Sequence, residues 1–256
     1  MNDLARLAAG NHGESSDLAA VLSILGASCR SYGNRAIALL GSMNNDADLT
    51  DLGPFVARRL LEATTTACLC RVDPVRLLYL GKCQAEESYE LTTRHSASVQ
   101  WTGDIIPDNR SKASANPWQT KSGTLELDRS LLSAHNAEIM WRPAFTELLN
   151  YIEDTEFSSW KENLQKITPD NFAPQLKGML SQEFSALSKG THQEFVIPTD
   201  RIYDAATVKS HIRTTFFYIS TLALTSHFVS FSACRLPPAQ ACELFFSIGR
   251  QLEDLA

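Results

Sequence analysis

A group of polar side chains follows an apolar helix pattern in the stretch FSALSKGTHQEFV, residues 184–196. Its members are Ser188, Lys189, Thr191, His192 and Glu194. A histidine beside an amine and a carboxylate can act as a general base or as a polar anchor for a ligand. The structural alternative is a helix that ends at Gly190 in a left-handed conformation, with His192 lying against the negative end of the helix. The sequence leaves both interpretations open.

A second group of charges lies in the segment RRLLE, which contains Arg58, Arg59 and Glu62. Arg58 and Glu62 are four residues apart and Arg59 and Glu62 are three apart, so both arginines can pair with the same carboxylate on a helix. The surrounding sequence, FVARRLLEATTTACLC, is otherwise apolar. We therefore expect at least one of the three charges to face an interior, where it must be paired. The alternative is a purely structural ion pair.

Two further candidates lie in the segment that runs from Ala205 to Cys234, which its periodicity predicts to be the longest helix. Arg213 and His227 fall on one stripe together with phenylalanines and leucines. A histidine in an apolar stripe is typical of a packed core. The two residues are separated by about 21 Å along a helix axis, so they do not form one site within a straight helix.

The segment RRLLEATTTACLCRVDPVRLLYL, followed much later by LSKGTHQEFV, resembles a loose group of helical bacterial proteins. That group shares an Arg-x-x-x-Glu helix, an Asp-Pro helix start and an LS-x-x-x-H segment, and it is similar to HEPN-type helical domains. The resemblance covers approximately residues 50–230. It implies an all-α fold and a function that acts on RNA or senses it.

In HEPN nucleases an arginine and a histidine four to six residues apart carry out metal-independent RNA cleavage, usually in a dimer. The resemblance therefore implies no metal and no cofactor. Arg129 and His135 match the spacing here, as do Arg6 and His12. The residue after the arginine is commonly polar in the family, and Ser130 follows Arg129, so the resemblance assigns the catalytic roles to Arg129 and His135.

The pattern of apolar residues predicts an all-α fold, an irregular bundle of seven or eight helices. We expect residues 1–256 to form a single helical domain, with a long polar surface loop around residues 102–123. The stretch Ser15-Ser16-Asp17 and the pair Asp73-Pro74 are typical of helix starts. The stretch SMNNDADLTDLG is expected to be a loop, and Pro54 after it is placed where a first-turn proline is tolerated. Pro143 predicts a break or kink within a later helix.

Composition narrows the classes of function. The chain has 256 residues, 44% of them hydrophobic, and a formal net charge of −6. This negative charge argues against broad electrostatic capture of nucleic acid or of an anionic membrane. Neither a secretory signal nor a membrane span is visible, and the six cysteines match no zinc motif, so we expect reduced core cysteines in a cytoplasmic protein.

Two functions remain as hypotheses from the sequence. The first is a HEPN-like component of a bacterial defence or mobile-element system, with RNA as its substrate or signal. The second is a non-catalytic helical protein that binds a partner protein as a scaffold. Either one is compatible with a homodimer, and neither requires a membrane.

Overall fold

A computed structural model of the chain describes residues 1–13, 16–42, 46–90, 97–107, 129–153, 158–190 and 203–255. Helices occupy 76% of these residues, which confirms the all-α class. Within the described ranges there are ten α-helices, more than the seven or eight expected. Two short helices account for the difference, because α1 and the one-turn α5 contain too few apolar repeats for a period to show. The helices are α1 (Asn2–Ala9), α2 (Asp17–Gly41), α3 (Asp46–Val72), α4 (Pro74–Gln84), α5 (Ala134–Asn136), α6 (Arg142–Ile152), α7 (Ser159–Gln165), α8 (Phe172–Lys189), α9 (Ala205–Thr225) and α10 (Pro238–Glu253).

The central helix is α3, which packs against α1, α2, α4, α8 and α9. Most of its side chains from Leu60 onwards are buried, with Leu60, Leu61, Ala67 and Cys68 fully enclosed. A helix segment that is apolar all round is typically surrounded by other elements. The charged residues of the first turns are exposed, whereas those of RRLLE line a cavity between helices and Arg71 lies in the core.

The start of α3 differs from the prediction. We expected a loop before a helix that began at Pro54, but α3 begins at Asp46 and contains Pro54 in its interior. The proline ring cannot donate a hydrogen bond to the carbonyl of Thr50. Two aspartates in the first turn, Asp46 and Asp48, favour the earlier start because negative charge stabilises a helix N-terminus.

The starts of α2 and α4 agree with the prediction. Ser16 accepts a hydrogen bond from the backbone N–H of Ala19 at 3.1 Å. Asp73 accepts one from the N–H of Arg76 at 3.3 Å, and Pro74 follows in the first turn of α4. Each side chain satisfies a backbone donor that the helix leaves without a partner, so these residues fix where the two helices begin.

The end of α8 has a different cause from the one predicted. Gly190 has φ −68° and ψ −7°, a right-handed conformation that any residue can adopt, so the expected left-handed cap is wrong. The glycine is required by space instead. A Cβ atom at this position would lie 2.6 Å from Cβ and Cγ of Pro54. Gly190 therefore allows the end of α8 to approach α3 closely.

Two other breaks in the helices have local causes. A π-helical turn, Ala137–Trp141, precedes α6, and Pro143 lies in the first turn of that helix, which confirms the predicted irregularity. The last long helix, α9, ends at Thr225 and not at Cys234, so α3 is the longest helix described. The carbonyl of Ser226 accepts a hydrogen bond from a buried arginine, Arg71, which draws the chain out of the helix at this point.

The core is one large cluster of buried apolar side chains to which every long helix contributes. All six cysteines are free, and four of them, Cys29, Cys68, Cys70 and Cys242, are buried as expected, whereas Cys83 and Cys234 are half-buried. Burial raises the pKa of Cys29 to about 11 and that of Cys68 to about 12, so both thiols stay protonated at neutral pH. In the part of the chain that the structure describes, no helix is both long and apolar enough to cross a bilayer.

Candidate functional site: an arginine-lined groove

The RRLLE segment forms one wall of a cavity of about 570 Å³ between α2, α3, α8 and residues 98–105. We call this cavity the arginine groove. Its polar and aromatic lining consists of Ser28, Tyr32, Arg58, Arg59, Glu62, Thr65, Thr66, Ser98, Gln100, Trp101 and Phe184. The groove has the mixture expected of a ligand site, with few charges and several hydrogen-bonding groups against aromatic surface.

Glu62 pairs with both arginines, as the sequence spacing predicts. Arg58 Nε lies 3.3 Å and Arg59 Nη1 lies 3.0 Å from the two carboxylate oxygens. The exposed fractions of the side chains are 24% for Arg58, 51% for Arg59 and 29% for Glu62. The three side chains were expected to include one that faces an interior, but all three line the wall of an open groove. Two guanidinium groups share one carboxylate there, which leaves one positive charge in excess.

Aromatic rings hold both arginines in place. The Arg58 guanidinium lies 4.3 Å from the centroid of the Phe184 ring, and the Trp101 indole stacks on the same ring at 4.3 Å with an angle of 2°. The Arg59 guanidinium lies 5.7 Å from the centroid of Tyr32. Hydrogen bonding with the Tyr32 side chain is the main reason that the pKa of Arg59 is raised. Cation–π contacts of this kind keep a guanidinium oriented while some of its N–H groups stay available.

The described part of LSKGTHQEFV, residues 187–190, contacts the RRLLE segment at this groove. Ser188 Oγ accepts a hydrogen bond of 2.8 Å from Arg58 Nη1, across 130 residues of sequence. Lys189 follows as the exposed last residue of α8. His192 and Glu194 lie outside the described residues, so their predicted roles stay predictions. The hydrogen bond between Ser188 and Arg58 is the observed contact between the LSKG and RRLLE segments, whose proximity was expected.

His227 does not belong to the arginine groove. It is buried, and Arg71, which lies near the C-terminal end of α3, faces it. Arg71 Nη2 donates to His227 Nδ1 at 2.9 Å, and Arg71 Nη1 donates to Ser226 Oγ at 2.7 Å. His227 Nδ1 also accepts from the N–H of Leu236 at 2.9 Å, while Nε2 donates to the carbonyl of Leu7 at 2.8 Å. These bonds assign the ring proton to Nε2.

The cluster of Arg71 and His227 joins α1, α3 and the segment after α9. Among the described residues no carboxylate lies within salt-bridge distance of Arg71, whose remaining bonds go to backbone carbonyls, including Ala233 at 3.1 Å. Burial lowers the pKa of Arg71 to about 10, so the guanidinium remains charged at neutral pH. Burial and the neighbouring Arg71 charge lower the pKa of His227 to about 3. A neutral, enclosed histidine with all its bonds made is structural.

The sequence analysis missed a second histidine pair. His211 Nδ1 lies 2.8 Å from Glu183 Oε2, where α9 packs against α8. Glu183 is almost fully enclosed, and its hydrogen bond raises the pKa of His211. The signal in the sequence was a glutamate within the stripe of Leu176, Leu180 and Leu187. An acidic residue in such a stripe requires a buried partner.

The remaining predicted residues lie apart from the groove. Arg213 donates from Nη2 to the carbonyl of Leu255 at 2.8 Å, so it fastens the end of the chain after α10. Arg129 is exposed, and its carbonyl accepts a bond of 3.0 Å from Arg76 Nη2. His135 lies half-buried in α5, after the capping residue Ser133. The catalytic roles assigned to Arg129 and His135 remain predictions.

Metal binding finds no support in the geometry: among the described residues, no three histidine, cysteine, aspartate or glutamate side chains are grouped closely enough to hold an ion. The groove can instead bind an anion, because its excess charge is carried by guanidinium groups whose planar donors match carboxylate and phosphate oxygens. No protein-family model, curated protein or solved structure matches the chain.

Proposed function

We propose that the protein is a helical binding protein that captures a small organic anion in the arginine groove. The observation that carries this proposal is the sharing of one carboxylate, Glu62, by two guanidinium groups in the wall of a 570 Å³ cavity. A phosphate or carboxylate that enters the groove would complete the charge balance. The Trp101 and Tyr32 rings supply apolar surface for the rest of the ligand.

The donors that the proposal needs are available. Arg58 uses Nε for Glu62 and one N–H of Nη1 for Ser188. A guanidinium carries five N–H donors, so further donors of Arg58 can reach a bound anion. Ser28 on α2 and Gln100 offer neutral hydrogen-bonding groups on other walls, and Thr66 offers one on α3 beside the arginines. A ligand with one anionic group and one planar ring would use both kinds of surface.

Phenyl phosphate is a suitable probe because it joins a phosphate to a single ring. We expect saturable binding by calorimetry, and Arg58→Met or Arg59→Met should each weaken it at least tenfold, since charge-assisted bonds contribute about 1.5–3 kcal/mol. The matched control is Arg30→Met, because Arg30 is exposed on α2 and does not line the groove. Equal affinity in all three variants would contradict the proposal.

Action on RNA is the second candidate function, and it rests on other residues. The specific observation in its favour is that neither side chain is buried: Arg129 is exposed and His135 is half-buried, six residues apart. Incubation with total RNA in the presence of EDTA tests it. Cleavage that is lost in Arg129→Ala and in His135→Ala would support a HEPN-like nuclease of a defence or mobile-element system. If the RNA stays intact, the nuclease function is wrong and anion binding in the arginine groove remains as the proposed function.

A further inference from the structure

A second cavity continues the arginine groove towards the N-terminal end of α2. It has a volume of about 480 Å³ and lies between α2 and α4. Leu25, Thr66, Ser98 and Val99 line both cavities, so the two spaces are adjacent. We call the second space the apolar channel. A ligand that occupied both spaces would pass along these four shared residues.

The two spaces differ sharply in chemistry. The apolar channel is lined by Val21, Ile24, Leu77, Leu80 and Gly81. Ile24 keeps 68% of its surface exposed, although it lies beside other apolar side chains. Surface apolar groups that adjoin a polar anchoring site are typical of a ligand-binding groove. Among the described residues, the charges that line the channel are those of Asp17 and Lys82, which pair with each other at 2.8 Å.

We propose that the ligand is a single-chain amphiphile, with a phosphate or carboxylate head on Arg58 and Arg59 and an aliphatic chain in the apolar channel. This inference rests on the proposed function of the arginine groove. Three observations support the choice of occupant: the excess positive charge at one end, the apolar walls beyond it, and the shared lining between the two. From Tyr32 to Asp17 the path along α2 is about 22 Å, at 1.5 Å per residue, which a long aliphatic chain can follow.

Gly81 provides a way to close the channel without disturbing the arginines. A Cβ atom at Gly81 would lie 3.8 Å from Cγ2 of Val21, an ordinary contact. The position therefore tolerates a Cβ atom, and the larger side chain of Gly81→Leu should extend into the space between α2 and α4. The matched control is Gly178→Leu on α8, where a Cβ atom would meet nothing within 4 Å and which lies away from both cavities.

The experiment compares phenyl, butyl, octyl and dodecyl phosphate by calorimetry, at concentrations below micelle formation. Each buried methylene should tighten binding roughly fourfold, which corresponds to 0.8 kcal/mol, so octyl phosphate should bind on the order of a hundredfold tighter than butyl phosphate. Gly81→Leu should abolish this dependence on chain length and leave phenyl phosphate unchanged. Gly178→Leu should retain it. Ile24→Glu, an exposed substitution, should weaken only the long-chain ligands.

The other outcomes separate this inference from the proposed function. Equal affinities for all four phosphates, still lost in Arg59→Met, would overturn the amphiphile and leave the anion site. If none of the phosphates binds in a way that depends on Arg58 and Arg59, both the amphiphile inference and the proposed anion site are wrong. If Gly81→Leu converts a dimer to a monomer in light scattering, the channel belongs to a second copy of the chain, and the aliphatic occupant is wrong.

Discussion

At the scale of single residues, Glu62 acts as the counter-ion of the two arginines in the groove and contributes little to the stability of the fold. Its side chain and those of both arginines keep between 24% and 51% of their surface exposed. Ion pairs at such exposure contribute less than about 1 kcal/mol to stability, because water screens them. We therefore expect Glu62→Gln to lower the free energy of unfolding by less than about 1 kcal/mol in urea melts.

The same substitution should strengthen anion binding, because it removes the charge that competes for the two guanidinium groups. A matched control is Glu147→Gln, since Glu147 is exposed on α6 and far from the groove. Glu147→Gln should change neither the free energy of unfolding nor the affinity for phenyl phosphate. A loss of about 3–5 kcal/mol in Glu62→Gln would instead mean that the pair is buried, contrary to the geometry.

The buried His227 makes the stability of the folded protein depend on pH in the acid range. The folded pKa is about 3, whereas the ordinary value is 6.5. Between these two values the unfolded chain binds a proton that the folded chain does not, so stability is complete above about pH 6.5 and falls as the pH decreases. One proton corresponds to a slope of about 1.4 kcal/mol per pH unit. Urea melts between pH 7 and pH 4 should show this slope, and His227→Gln should reduce it by that amount.

His211 is the natural control because its pKa is shifted in the opposite direction. Glu183 raises it, so the stabilisation is present below about pH 6.5 and is lost as the pH rises through the folded pKa. His211→Gln should therefore leave the acid slope intact and remove a decline on the alkaline side. An unchanged acid slope in His227→Gln would show that the histidine is not enclosed as described.

At the scale of elements, the close approach of α8 to α3 depends on Gly190. A methyl group there would collide with Pro54, so Gly190→Ala should destabilise the protein by about 1–3 kcal/mol, as overpacked sites do. Replacing Pro54 by alanine in the same chain should recover part of that loss, since contacting residues are not additive. Chemical denaturation of the two single variants and the double variant measures the coupling.

Gly178→Ala on the same helix is the comparison for that series. Its Cβ atom would enter open space, so the alanine should stabilise α8 by roughly 0.5–1 kcal/mol through backbone entropy alone. Equal effects at Gly178 and Gly190 would mean that the contact with Pro54 does not restrict α8.

Local patterns in the sequence predicted the elements well, because their causes are local. The caps at Ser16 and Asp73 and the pairing of Glu62 with both arginines follow from spacings of three and four residues. The predictions for the start of α3 and for the conformation of Gly190 were wrong for two different reasons. The early start of α3 has a local cause, because Asp46 and Asp48 stabilise a helix N-terminus ahead of Pro54, and the proline was given more weight than these aspartates. Gly190 depends on the close approach of α8 to Pro54, and a contact between distant positions leaves no periodic trace in a single sequence.

The candidate site was predictable only in part. Three of its charges, Arg58, Arg59 and Glu62, were evident from their positions in an apolar helix. Trp101 was missed because no charge or spacing in the sequence distinguishes it, and it lies in a short turn that contains non-helical residues. Pairs such as Arg71 with His227 join residues 156 apart, so only the isolated charge in an apolar run could have indicated them.

At the scale of the whole molecule, charge distribution separates the proposed function from general nucleic-acid binding. The chain carries a net charge of −6, whereas the arginine groove carries one excess positive charge. A negative protein with a small positive recess attracts small anions to one place and repels extended polyanions elsewhere. We expect phenyl phosphate binding to weaken as salt rises, since the excess charge of the groove is partly screened.

The central claim is that Arg58 and Arg59 together hold an anion, and NMR of nitrogen-15-labelled arginine side chains tests it most directly. The Arg58→Met and Arg59→Met variants assign the two signals. On titration with phenyl phosphate, the account predicts that these two signals shift together and saturate, while that of Arg30 stays in place. Unmoved signals from Arg58 and Arg59, or an equal drift of every exposed arginine, would contradict it.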